Sequence, residues 1–206
     1  MKVMLVNGSP HAKGCTYTGL KEIEKVLNKY GIETEIFQVG TQPLAGCIGC
    51  RACYETGRCF RDDKVNEFID KIEDVDGFVF GTPVHYASAS GAITSFMDRA
   101  FYSGSRFMKG KPAASIVSCR RGGASATFDQ MNKYFTINQM PVISSQYWNS
   151  IHGNTPEEVQ QDLEGLQVMR TLGENMAWII RCIEAGKAVG IEFPVKEPGV
   201  RTNFIR

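Results

Sequence analysis

The stretch that decides the fold is "KVMLVNGSPHAKGCT", residues 2–16. Val3 to Val6 form an unbroken apolar run, as expected of a strand buried on both faces, and "NGSP" then supplies turn residues before an amphipathic segment. In that segment Leu20, Ile23, Leu27 and Tyr30 fall on one side of a helix that stops at Gly31. Backbone amides in a Gly-containing loop at a helix N-terminus point at a common centre. Ser9, Lys13 and Thr16 add hydroxyl and ammonium donors, so residues 7–16 read as an anion cradle. Two other nucleotide loops are excluded: there is no G-x-x-x-x-G-K-S/T, and no G-x-G-x-x-G followed by an acidic residue.

Working outward, strands and helices alternate. Strands are predicted at 34–39, 77–83, 113–118 ("AASIVS") and from "MPVISS" at 140–145. Asp62 or Asp63 caps a helix whose Val65, Phe68, Ile69 and Ile72 share a face, and further helices are predicted over 92–101, 126–136 and 156–184. The last, with Pro156 in its first turn, carries a broad stripe of Leu163, Leu166, Met169, Leu172, Met176 and Ile180. Residues 1–186 are expected to form one domain, and 187–206 an extended C-terminal arm. This alternation implies an α/β three-layer sandwich with a five-stranded parallel sheet covered on both faces. Such a sheet binds ligands beyond the carboxyl ends of its strands, so the loops after the first, third and fourth strands carry the site.

The chain has 206 residues, within the range of one domain, and its 23 Lys plus Arg nearly cancel its 22 Asp plus Glu. Nothing in that balance favours nucleic acid or an anionic membrane. The N-terminal apolar run is too short for a signal peptide or a membrane span, so a cytoplasmic soluble protein is expected. In a reducing compartment the seven cysteines are expected to be thiols or ligands rather than disulfides.

After the third strand, "GTPVHYASASG" (81–91) sets an aromatic pair among small residues that let a flat ring approach the backbone. After the fourth, "SCRRGGAS" (118–125) brings Arg121, Gly122 and Gly123 to another helix start. Together the three loops resemble the NAD(P)H-dependent FMN reductase family of flavodoxin-like proteins, over roughly residues 1–150. The resemblance implies FMN, with its phosphate around Ser9, His11, Lys13, Cys15 and Thr16. It places the isoalloxazine between Pro83, Val84, His85, Tyr86, Ala87 and Ser88 on one side and Ser118, Arg121, Gly122 and Gly123 on the other. The flavin carries the hydride chemistry, so no catalytic side chain is implied.

A second motif, "GCIGCRACYETGRCF" (46–60), holds Cys47, Cys50, Cys53 and Cys59 as C-x2-C-x2-C-x5-C. The spacing alone leaves a 4Fe–4S cluster, free thiols and zinc open. Its place after the second strand resembles the iron-sulfur flavoprotein branch of the family. There the resemblance implies a cluster that exchanges electrons with FMN.

Cys119, Cys182 and His152 read as packing residues, Asp98 and Arg99 as an ion pair, and Tyr147 and Trp148 as an interface or pocket wall. Three functions follow as alternatives. The first is an FMN-binding NAD(P)H-dependent oxidoreductase acting on a flavin, quinone or protein acceptor. The second is an iron-sulfur flavoprotein moving electrons between cluster and FMN. The third is a redox or metal sensor without turnover. A homodimer or homotetramer is expected, with no nucleic-acid or membrane partner.

Overall fold

Along β1 (Lys2–Asn7) the side chains divide between two cores. Met4 and Val6 pack with Phe78, Phe80 and Phe96 on one face of the sheet, while Val3 and Leu5 pack with Leu20, Ile23 and Ile116 on the other. A strand whose four central residues, Val3 to Val6, are all apolar has no solvent face to give up, which is why it sits at the centre of a covered sheet.

The computed structural model describes residues 1–200 and Thr202; the end of the predicted arm, Arg201 and residues 203–206, lies outside the described residues. After β1 come α1 (Cys15–Lys29), β2 (Glu33–Gln38), α2 (Ala52–Thr56) and α3 (Lys64–Ile69). Next are β3 (Gly77–His85), β4 (Ser88–Ala89), α4 (Gly91–Met108), β5 (Ala113–Cys119) and α5 (Ala124–Ile137). The chain continues through β6 (Ser150–His152), α6 (Pro156–Val159) and α7 (Leu163–Ala188). The sheet order is β2-β1-β3-β5-β6, parallel throughout, with β4 folded back antiparallel on β3. This is the expected flavodoxin-like α/β architecture, and its order reverses between β1 and β3, which places the switch point over the loops that follow those strands. Among the described residues no helix is long and apolar enough to cross a membrane.

α1 and α7 cover one face; α3, α4 and α5 cover the other. In the second layer Phe68 is a hub, its ring centroid 5.4 Å from Phe37, 5.2 Å from Phe96 and 6.2 Å from Phe80. The α3 cap is Asp63, whose Oδ1 accepts from the Val65 amide at 3.0 Å.

Four expectations are corrected. The fifth strand is Ser150–His152 rather than 140–145, because Pro141 has no N–H to give the ladder. The 140–143 segment touches only the start of β5, through a bridge between Ala113 and Val142. The chain then bulges out, exposing Tyr147 and Trp148, before Asn149 rejoins β5 through its carbonyl, which accepts from the Val117 amide at 2.9 Å. The single helix over 156–184 is two, split where the Asp162 carboxylate caps α7 by accepting from the Gly165 amide at 2.9 Å. Leu163 therefore stands at a helix start, exposed rather than in the stripe. Finally, α4 runs past Phe101 to Met108, since Gly104 lets Ile69 of α3 pack directly on its backbone.

Because Phe68 is fully buried among four other rings, Phe68→Ala is expected to lower the unfolding free energy by about 3–5 kcal/mol, measured by urea denaturation.

Candidate functional site

Three loops meet beyond the carboxyl ends of β1, β3 and β5. In the first, buried Asn7 shapes the turn: its Oδ1 accepts from the Ser9 amide at 3.1 Å and its Nδ2 donates to Gln38 Oε1 at 2.7 Å. Gln38 in turn donates to the Ser9 carbonyl at 2.7 Å, and Ser9 Oγ accepts from the His11 amide at 3.1 Å. This network holds the loop open ahead of α1, whose N-cap, Gly14, supplies no side-chain hydrogen bond. The amides of the first turn of α1 therefore stand without a side-chain cap, a partial positive charge facing the site. His11 and Lys13 are exposed at its mouth.

The second loop is a hairpin that was not foreseen. β3 turns through Tyr86 (φ +48°) and Ala87 (φ +61°) into β4, with His85 opposite Ser88 and Val84 opposite Ala89. Two positive φ values identify a type I′ turn, which ordinarily uses Asn and Gly. With Tyr and Ala there the turn is strained by roughly 1–2 kcal/mol at each residue. The strain is held by Gln130 of α5, whose Oε1 accepts from Ser88 Oγ at 2.7 Å and from the Ala89 amide at 3.2 Å. The Tyr86 side chain projects fully into solvent.

The third loop, Arg120 to Gly123, leads into α5, again without a side-chain cap. Arg121 and Gly122 are exposed, and a Cβ built on Gly122 meets nothing within 4 Å. Gly123 has φ +87°, and a Cβ there would lie 2.6 Å from Ala87 Cα. The two neighbouring glycines therefore do different work: Gly123 lets loop three touch the hairpin, and Gly122 leaves backbone open to a flat ligand.

Three contacts close the site. Thr16 Oγ1 and Ser118 Oγ share a hydrogen bond of 2.8 Å, joining loop one to β5. Ser90 Oγ donates to the Gly8 carbonyl at 3.2 Å, joining the hairpin to loop one. Gly123 on Ala87 joins loops two and three. The structure thus brings Ser9, Thr16, Pro83 to Ser88, Ser118 and Arg121 to Gly123 together. The Cys15 side chain faces elsewhere: its Sγ lies 3.7 Å from the Gly153 carbonyl, and burial pushes its thiol up rather than down.

The cysteine motif forms a separate site. Cys47, Cys50, Cys53 and Cys59 all line one cavity of about 220 Å³, together with Arg51, Arg61, Arg99 and the aromatic Tyr54, Phe60 and Tyr102. The Gly49 amide donates to Cys47 Sγ at 3.4 Å, and Arg99 Nε donates to Cys59 Sγ at 3.2 Å. Asn66 holds the backbone of Cys59 from both sides, accepting from its amide at 3.0 Å and donating to its carbonyl at 2.9 Å. Burial, and then the other three thiols, raise the pKa of Cys53. Among the described residues no three His, Cys, Asp or Glu side chains converge closely enough to hold a single metal ion. The thiols therefore surround a space rather than meet at a point.

Residues 1–155 match the family described as NADPH-dependent FMN reductase. The chain belongs to that family. It is accordingly an FMN-binding flavoprotein oxidoreductase, with a reduced nicotinamide as donor and an acceptor for the electrons. An iron-sulfur flavoprotein of Methanocaldococcus jannaschii is 31% identical over 192 residues, covering 89% of this chain and all of that protein. Among solved structures, RosB with its bound intermediate 8-demethyl-8-formylriboflavin-5'-phosphate superposes with TM-score 0.68 at 16% identity, covering all of this chain and 94% of that one. A flavodoxin from the domain Archaea superposes with TM-score 0.58 at 16% identity, covering 88% of this chain and 99% of that one. Both structural likenesses bear on the fold.

For an FMN reductase the residues that sequence reading missed are mostly supports. Asn7 had a signal, since Asn after a strand favours an Asx turn. Gln38, Gln130 and Asn66 had none, because each works across a tertiary contact.

Gly123→Ala is expected to destabilise the flavin-free protein by about 1–3 kcal/mol, whereas Gly122→Ala shifts it by no more than about 0.5 kcal/mol, both read by urea denaturation.

Proposed function

We propose that this FMN reductase family member holds FMN in the three-loop site and passes electrons from NADH or NADPH to a small-molecule or protein acceptor. The residue assignment is supported by what the loops at the carboxyl ends of β1 and β5 offer: the N-termini of α1 and α5 carry no side-chain cap, and the backbone at Gly122 is open. The amides at the start of α1, with Ser9 Oγ, Thr16 Oγ1 and Lys13, would take the phosphate, because charge-assisted donors at a helix start favour an anion. His11 stands at the same mouth, and Cys15 contributes there through its backbone. The amides near Gly122 and Gly123 would bond the polar edge of the ring, with Arg121 beside them. The hairpin from Pro83 to Ser88 would form its other wall, Tyr86 shielding an edge. When bound, the flavin supplies hydride acceptance and one-electron or two-electron transfer. The protein's part is to fix the ring, exclude water from one side and leave the other open to a nicotinamide.

The cysteine cavity favours a second component, a 4Fe–4S cluster held by Cys47, Cys50, Cys53 and Cys59. The donors are all sulfur, they line one cavity, and two sulfurs already accept N–H bonds of the kind that stabilise cluster thiolates. Structural zinc sites usually space their cysteine pairs further apart along the chain than this motif does. With a cluster the protein would move electrons singly between it and the flavin. A homodimer or homotetramer is supported by the exposed apolar side chains of Tyr147, Trp148, Leu163 and Trp178.

The deciding experiment is the visible spectrum of protein purified without oxygen, with iron and acid-labile sulfide content. Flavin bands with about four iron per chain establish both cofactors, and flavin alone leaves a simple reductase with free thiols. Steady NADH or NADPH oxidation with an added acceptor separates either from a sensor without turnover. Cys50→Ser is expected to abolish iron while FMN stays bound, and Gly122→Val to weaken FMN binding, measured by fluorescence titration.

A further inference from the structure

An arginine halfway along a helix ordinarily reaches for water, yet Arg99 is 2% exposed. All five of its N–H groups have partners. Nη1 donates to Asp63 Oδ2 at 2.7 Å and to the Ala45 carbonyl at 3.3 Å. Nη2 donates to Asp63 Oδ1 at 2.9 Å and to the Arg61 carbonyl at 3.2 Å. Nε donates to Cys59 Sγ at 3.2 Å. The planar fork binds the carboxylate with both arms, a geometry that lysine cannot reproduce. The ion pair needs only those two arms, so the bond from Nε to sulfur is additional to it.

Burying a guanidinium is costly unless it is paired and hydrogen-bonded. Asp63 is itself 30% exposed on its side chain, so water screens the carboxylate more than the cation. The cation thus presents its field to the one polarisable group that it touches on the cavity side, the Cys59 sulfur. An N–H bond to a ligating sulfur and a nearby positive charge both favour the more negative, reduced state of a metal–sulfur group.

We propose that Arg99 is a positioning residue that sets the reduction potential of the group held by Cys59, raising it, and that Asp63 sets the opposite bias. This rests on the cluster reading above. The step concerned is the transfer of one electron to the cluster from the flavin, which NADH or NADPH would reduce, with no bond made or broken at the protein. Arg99 acts through Cys59 and through the backbone at residues 45 and 61, which it ties to α4.

The test is a spectroelectrochemical titration of the anaerobic, iron-loaded and sulfide-loaded protein, following cluster and flavin bands in the same sample. In Arg99→Gln the cluster potential is expected to fall enough to change the ratio of reduced to oxidised cluster at least tenfold, about 59 mV for one electron. Arg99→Lys, which keeps the charge but loses the aimed Nε–H, falls between it and wild type. Asp63→Asn keeps an α3 cap acceptor and removes the carboxylate charge, so its cluster potential rises. The flavin potential stays in place in all three. A purely structural Arg99 would not give shifts of opposite sign in two halves of one ion pair. Cluster potentials that do not move, or that move the same way in Arg99→Gln and Asp63→Asn, overturn the proposal. Should Arg99→Gln fail to fold or to take up iron, Asp63→Asn and Arg99→Lys decide it alone. A wild-type protein that takes up no iron removes the cluster reading and this inference with it. A loaded wild type whose variants keep its potential removes this inference only.

Discussion

The bond from the Gly8 amide to the Gly81 carbonyl, 2.8 Å long, seals the seam between β1 and β3. It lies where the strand order reverses, the point at which loops on either side diverge and leave room for a ligand. Neither glycine tolerates a side chain. A Cβ on Gly8 would lie 2.8 Å from the Gly81 carbonyl, and one on Gly81 would lie 2.7 Å from a methyl of Thr16. With the seam closed, Ser90 can reach the Gly8 carbonyl and Thr16 can reach Ser118, so the loops after β1, β3 and β5 become one surface. The hairpin at Tyr86 and Ala87 is strained, and its anchors are Gln130 of α5 and Gly123, the residue from which that helix starts. The rigidity of this hairpin therefore comes from the helix behind it.

α4 is the element common to the two sites. Its N-cap, Ser90, bonds to the backbone of the loop after β1, while Arg99, Tyr102 and Arg106 along one of its faces contact the cysteine loop. Those residues recur at helical spacing, so a single helix registers the cysteine loop against the loops after β1 and β3. Asp98, one position round, accepts a hydrogen bond from Tyr134 of α5, and burial, then that bond, hold the tyrosine hydroxyl well above its usual range. This third tie keeps α4 and α5 at a fixed spacing. The reading of Asp98 and Arg99 as a simple ion pair is thus replaced: each has a different partner, on a different neighbouring segment.

Much of the site was legible because its loops follow strands that announce themselves. A run such as "KVMLV" can satisfy its period only in a doubly covered sheet, and polar Gly-rich segments after such strands lie at its carboxyl edge. Four cysteines in thirteen residues likewise declare a common site by proximity along the chain alone. The last strand was misread for a local reason that the sequence does contain. Pro141 interrupts an otherwise suitable apolar run, and the pairing moves on to Ser150, where every residue has an N–H to give.

By itself, the sequence determined the layer order, the positions of the three loops and the grouping of the thiols, because each depends on periodicity or on short spacing. The tertiary structure decided which loop residues are walls and which are supports. Gly122 and Gly123 are identical in sequence, and only the nearness of Ala87 separates an open backbone from a packed one. Arg99 is forty residues from Cys59 along the chain, and no local pattern links them. Their bond exists because α4 buries the guanidinium where a carboxylate, two carbonyls and one sulfur are the partners within reach, and a buried cation must satisfy its donors with the groups the fold brings to it.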